Sequence, residues 1–165
     1  MSKKDQQFFE TIYQQSYSMV LQMCLGYMKG DKDLANDLSQ EVFINIWNAI
    51  GNFKGKSTPK TWVYRITVNT CLQYIRKEKK KANLSVEKIE HALIQENHNP
   101  ENNPRQELYT AIGKLEKLDR LIIMMVLEEQ DYDTISNVIG IQPTNVRVKI
   151  HRIKKRLKKI MEHEQ

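Results

Sequence analysis

Apolar residues recur along this chain at helical spacing, with almost no alternation by twos, so the pattern predicts an all-α fold. A first helix is expected over about residues 6–27, turning Phe9, Ile12, Tyr13, Val20, Leu21 and Met23 or Cys24 inward. Gly30 and Asp31 then punctuate the chain, Asp31 being a good N-cap for a second helix over about 32–50. Its Leu34, Leu38, Val42, Ile46 and Ile50 fall at steps of four and form one apolar stripe. A loop over 51–59, marked by Gly55 and Pro59, leads to a third helix over about 61–81 that buries Tyr64, Val68, Cys71 and Ile75.

Beyond a segment rich in Asn, Glu and Pro, the helical pattern resumes. A short helix is possible at 86–95, and 97–104 reads as a flexible linker and domain boundary. Residues 105–118 form a helix that buries Leu108, Ile112 and Leu115. Asp119 is placed to cap the next, whose LIIMMVL run is apolar on all sides and therefore central to a small bundle. Asp131 or Asp133 starts a short helix carrying Ile135, Val138 and Ile139. Gly140 stops it, and Pro143 suits the first position of a last helix with an apolar stripe of Val146, Ile150, Ile153, Leu157 and Ile160. The expected architecture is two small helical domains, 1–82 and 105–165, joined by 83–104, the second a helix-turn-helix domain.

Charge sharpens this outline. The chain carries a formal charge of +6, unevenly spread: 12 Lys/Arg against 7 Asp/Glu in residues 1–80, 2 against 4 in 81–104, and 12 against 9 in 105–165. A basic balance makes a polyanion the first partner to consider, although it also suits a merely solvated surface. No acidic residue stands between Thr134 and Met161. The leading turns of the last helix offer Thr144, Asn145, Arg147, Val148, His151 and Arg152, with Lys155 a turn further on. A helix-turn-helix places such residues in the major groove, where Arg reads guanine, Asn adenine, and Thr or Val a thymine methyl.

The third helix gathers Trp62, Arg65, Asn69, Gln73 and Arg76 opposite its apolar stripe. An aromatic ring, two amides and two cations in one row suit a base that is stacked, hydrogen-bonded and held by its phosphate. A solvated face with Trp62 tucked sideways is the plainer reading. The second helix differs, projecting Asp37, Gln40, Glu41 and Ile44, with Trp47 near the border. Carboxylates there repel phosphate, so this face suits a basic protein partner or water alone. The Lys77, Lys79, Lys80 and Lys81 run serves either phosphate or the helix dipole.

Cys24 and Cys71 have no metal-ligand spacing and read as reduced core residues of a cytoplasmic protein. The longest apolar run, 121–127, is too short to cross a bilayer, and no signal segment opens the chain. No nucleophile–base arrangement or phosphate loop stands out, so no enzyme site, cofactor or metal is expected.

These stretches resemble the extracytoplasmic-function group of RNA polymerase sigma factors of the sigma-70 family. DLANDLSQEVFINIW is similar to that group's polymerase-binding helix, FKGKSTPKTWVYRITVNTCLQYIRK to its minus-ten recognition and opening segment, and DYDTISNVIGIQPTNVRVKIHRIKKRL to its minus-thirty-five helix-turn-helix. The resemblance implies that Asp37, Gln40, Glu41, Ile44 and Trp47 meet core polymerase. It implies too that Phe53 and Asn69 hold a flipped base, with Trp62 at the edge of the melted duplex and Arg65 on a phosphate. Arg76 would join the same minus-ten surface. Val63 stands where housekeeping relatives carry a second tryptophan, which implies opening that tolerates less promoter variation. Pro59 and His151 also depart from residues frequent in relatives. Sigma factors of this group are often held by an anti-sigma partner, a question the sequence leaves open. A stand-alone helix-turn-helix regulator and a helical scaffold remain as alternatives, but neither needs the acidic face or the aromatic row.

Overall fold

The computed structural model describes residues 1–81 and 103–163, and the described residues form helices and turns. The possible helix at 86–95 and nearly all of the linker at 83–104 lie outside them. In the amino-terminal lobe, α1 (Lys3–Tyr27), α2 (Lys32–Ala49) and α3 (Pro59–Lys81) pack on one another, with a 3-10 turn at Ile50–Asn52. The second lobe comprises α4 (Pro104–Ile112), α5 (Lys117–Leu127), α6 (Tyr132–Ile139) and α7 (Pro143–His163).

Local chemistry sets the boundaries. Ser2 and Asp5 form a reciprocal capping box, so α1 begins three residues before the position its apolar pattern predicts. The Thr58 hydroxyl accepts the Thr61 backbone N–H at 3.1 Å, and Pro59 needs no donor at the first helical position. Pro59 therefore opens α3 instead of closing the loop before it. Asn103 and Pro104 start α4 in the same way. The helix expected over 105–118 stops at Ile112, since the chain turns at Gly113 and restarts at Lys117. Leu115 is buried in that turn, and Asp119 lies in the first turn of α5 while Glu116 occupies the cap position.

The apolar stripes converge. Leu38, Val42 and Ile46 of α2 face Val20, Met23 and Cys24 of α1 and Val68, Cys71 and Ile75 of α3 in one buried cluster. That cluster continues without a break through Leu121, Ile122 and Met125 of α5, Ile135 of α6 and Ile150 of α7. The two lobes are thus packed together: α1 lies against α4 and α5, and α3 against α5 and α6. The buried face of α3 is consequently wider than its predicted stripe and includes Val63, Thr67 and Thr70. Both threonine hydroxyls donate back to carbonyls of their own helix, Thr67 to Val63 and Thr70 to Ile66.

Two expectations of burial fail. Tyr13 is 43% exposed, and Phe9 and Leu21 are only partly covered. Leu127, at the end of the LIIMMVL run, is 47% exposed, so that run is not buried on all sides.

Burial within α2 predicts a sharp contrast. Ile46→Ala should lower unfolding free energy by about 2–5 kcal/mol because it leaves a cavity. Ile44→Ala, on the outward face, should stay within about 0.5 kcal/mol. Urea denaturation of the two variants measures both, and equal losses would contradict the assigned faces.

Candidate functional site

Three surfaces are built on this frame. On α2, the stripe that buries Leu38, Val42 and Ile46 turns Asp37, Gln40, Ile44 and Trp47 to solvent, with Glu41 half-buried beside them. Ile44 is 54% exposed and adjoins Trp47 and Phe43 in a continuous apolar patch. Glu41 carries an ion pair with Lys77 of α3 at 3.4 Å. Both groups are more than a third exposed, so the pair adds little to stability. Lys77 therefore sits at the margin of the acidic face. Tyr74 reports the field there: burial first, then the carboxylates of Glu78, Asp37 and Glu41, raise its pKa.

The α2 face continues onto α1, which the sequence pattern did not reveal. Phe9, Tyr13 and Tyr17 follow one another at steps of four and meet Phe43 and Trp47 in a ladder of rings. Phe9 meets Trp47 edge-on at 4.9 Å, and Tyr13 lies 4.7 Å from Phe43. The rings line an open groove of about 870 Å³, together with Asn36, Gln40 and Ile44. The apolar body of tyrosine fits a core stripe, and its hydroxyl equally permits an exposed rim. The cue in the sequence was the i, i+4, i+8 spacing of three aromatic residues.

The second surface is the outer row of α3. Asn69, Gln73 and Arg76 are exposed, whereas Trp62 and Arg65 are half-buried. Phe53 packs between Phe8 and Trp62, with ring centroids 5.5 and 4.9 Å apart. Phe53 and Trp62 are thereby brought together at the head of α3. Asn69 lies two turns further along the same helix and is exposed. Beneath it, Thr70 is fixed by Asn45 of α2, whose side-chain N–H donates to the Thr70 hydroxyl at 3.0 Å.

The third surface is the helix-turn-helix of α6 and α7. Asp131 caps α6, its carboxylate accepting the Thr134 backbone N–H at 2.7 Å. Gly140 ends α6 with φ of +85°, a left-handed conformation that glycine adopts without strain. The Ser136 hydroxyl donates to the Ile141 carbonyl and tightens the turn. Pro143 then starts α7, which buries Val146, Ile150 and Ile153. Thr144, Asn145, Arg147, Val148, His151, Arg152 and Lys155 are all exposed. The Arg147 guanidinium stands 5.7 Å over the Tyr132 ring, a cation–π contact from α7 back to α6. Lys149 pairs with Asp119 of α5 at 2.9 Å and ties the inner side of α7 to the lobe. Among the described residues no group of three His, Cys, Asp or Glu side chains could hold a metal, and no helix is long and apolar enough to cross a membrane.

An acidic-aromatic groove, an amide-and-cation row and a basic helix-turn-helix thus follow one another along the chain. Sigma-70 region 2 matches residues 12–81 and sigma-70 region 4 matches residues 105–157. RNA polymerase sigma factor YlaC of Bacillus subtilis is 27% identical over 168 residues, covering 96% of this chain and 94% of that protein. The ECF RNA polymerase sigma-E factor of Escherichia coli is 29% identical over 166 residues, covering 92% and 85%. The fold is shared with the solved sigma factor RpoE of Bartonella quintana in complex with the anti-sigma factor NepR. That likeness has a TM-score of 0.72 and 18% identity over 94% of this chain and 99% of that one. CnrH in complex with the cytosolic domain of CnrY gives 0.70 and 17%, covering 97% and 91%. The chain belongs to the extracytoplasmic-function group of the sigma-70 family.

Hydrogen bonding from the Thr134 backbone, then from its side chain, holds the Asp131 carboxyl below the usual carboxylate range. A depressed folded-state pKa means that this cap contributes fully above the ordinary carboxylate range and is lost as pH falls through the folded value. Asp131→Asn keeps an acceptor but no titration, so the acid-side decline in thermal stability should flatten in that variant. An unchanged profile would show that the cap does not couple to folding.

Proposed function

We propose that the three surfaces divide the work of a sigma factor between them. The chain binds core RNA polymerase, recognises minus-ten and minus-thirty-five promoter elements and promotes DNA opening. In our reading Asp37, Gln40, Glu41, Ile44 and Trp47 form the polymerase face. The aromatic groove with Tyr13 and Tyr17 extends it, because it is continuous with Ile44 and Trp47. Acids at the margin repel DNA phosphate and attract a basic partner, while the rings supply apolar area once water is excluded.

Phe53, Trp62, Arg65, Asn69 and Arg76 are assigned to the minus-ten element. The exposure of Asn69 supports this role, since an amide can satisfy the Watson–Crick edge of an unpaired base. Trp62, backed by Phe53, presents an aromatic edge where the duplex begins to part. Capture of extruded bases offsets an unstacking cost of a few kcal/mol. Thr144, Asn145, Arg147, Val148, His151, Arg152 and Lys155 are assigned to the minus-thirty-five major groove. Phosphate contacts from the many lysines supply affinity, and base contacts supply promoter choice. The domain limits of 1–82 and 105–165 follow this division.

The carrying observation is the combination itself: a stand-alone regulator requires the helix-turn-helix but not an acidic-aromatic face beside an accessible amide row. We read the chain as a cytoplasmic factor that does no covalent chemistry of its own. The solved complex of RpoE with NepR supports an anti-sigma partner as a further ligand.

Charge reversal tests the polymerase face. Asp37→Lys with Glu41→Lys should abolish co-elution with bacterial core polymerase, and with it promoter-dependent transcripts, while the helical circular dichroism signal stays intact. Retained binding would place the interface elsewhere. Separately, Asn69→Ala should reduce permanganate-detected opening and single-strand binding more than duplex binding; equal losses in both assays would contradict base capture by α3.

A further inference from the structure

Tyr132 opens α6 and belongs to none of the residue sets assigned above, although it is 40% exposed and lies on the helix-turn-helix. Its place is set locally. The Asp131 carboxylate caps the helix by accepting the Thr134 backbone N–H, which makes Tyr132 the first helical residue. One turn further on, the Ser136 hydroxyl donates to the Ile141 carbonyl within the turn that leads to α7. Residues four apart share a helix face, so the Tyr132 ring stands on the side of α6 that borders this turn.

Arg147 meets it from the second turn of α7. The guanidinium carbon stands 5.7 Å from the ring centroid, within the reach of a cation–π contact. Among the described residues no carboxylate pairs with Arg147, so the ring is the contact that holds it. The kind of partner matters here. A carboxylate in a bidentate pair would occupy two guanidinium N–H donors, whereas an aromatic face attracts the cation and leaves the donors at its edge free. Bidentate recognition of guanine needs two such donors side by side. A long side chain that swept the solvent would have to be ordered on binding, and a contact already made lowers that entropic cost.

The helix itself is held by other means. Lys149 lies two residues beyond Arg147, about 200° round the helix axis, and pairs with Asp119 of α5 at 2.9 Å. Val146, Ile150 and Ile153 are buried on the arc between these two edges. The ring contact therefore acts on one side chain and not on the rotation of α7.

Resting on the sigma-factor reading above, we propose that Tyr132 is a positioning residue for minus-thirty-five recognition. Its ring holds the Arg147 guanidinium beside the leading turns of α7 with the edge donors free, and so sharpens the choice of base at the position that Arg147 reads. The Tyr132 hydroxyl takes no part. A phosphate contact through that hydroxyl is the competing role, and it would carry no base preference.

A promoter library randomised over the minus-thirty-five element, transcribed by the full chain assembled with core polymerase, separates the two roles. Arg147→Ala identifies the position that Arg147 reads as the one where base preference falls. Tyr132→Leu and Tyr132→Gln each remove the ring. Both should lower the preference at that same position by about two- to fivefold, the scale of an exposed cation–π contact, and leave the other positions unchanged. Tyr132→Phe, which restores the ring without the hydroxyl, should recover the preference. Combining Tyr132→Leu with Arg147→Ala should add nothing at that position, because the partner is already gone. Unchanged preference in the ringless variants, an equal loss of preference at every position, or a loss in Tyr132→Phe as large as in Tyr132→Leu would overturn the proposal, the last in favour of the hydroxyl. An Arg147→Ala profile unchanged at every position would overturn it as well, since there would be no base reader to position. Absence of promoter-dependent transcripts from the unsubstituted chain would instead overturn the sigma-factor reading beneath it.

Discussion

The structure depends on how α3 is covered. Val63, Tyr64, Thr67, Val68, Thr70, Cys71 and Ile75 are all buried, which takes nearly half of the circumference of the helix. Each apolar side chain so removed from water contributes about 1.5–3 kcal/mol. The rotation of α3 is thereby fixed, and with it the outward direction of Asn69, Gln73 and Arg76. An unpaired base could not be met by a helix free to turn about its axis. The Asn45–Thr70 hydrogen bond locks the same rotation from the α2 side.

Electrostatic segregation follows from the same packing. The helices that hide apolar stripes have opposite signs of charge left to display. Carboxylates gather on α2 around Asp37 and Glu41, while cations crowd α7 and the end of α3. One small chain can then present a face that rejects phosphate and two that attract it. Lys77, paired with Glu41, marks the border between them.

Much of this was legible in the residues. Asp31, Asp131, Gly140 and Pro143 act where their capping and turn chemistry places them, because these signals are local. The apolar stripe of α2 was readable except at its ends: Leu34 is half-buried and Ile50 belongs to a 3-10 turn. The capping signals of Ser2 with Asp5 and of Thr58 before Pro59 lie upstream of the first apolar stripe residues, so apolar spacing alone places both helix starts too late. Gly113 broke a helix whose periodicity ran straight through it. Tertiary covering was not legible. Periodicity gives the direction of a face but not what stands opposite, so the burial of Thr67 by neighbouring helices had no sequence signal. The exposure of the α2 face, the α3 row and the leading turns of α7 followed from residue chemistry and periodicity, whereas the joining of α1 to the α2 face depends on packing.

The fixed rotation of α3 is the claim on which the rest stands. A photoreactive amino acid at position 69, in the full chain assembled with core polymerase on a promoter, tests it most directly. The account predicts a cross-link to a nontemplate-strand base of the melted minus-ten element, gained as the duplex opens. Cross-links to polymerase alone, or to duplex DNA with equal yield before opening, would contradict it.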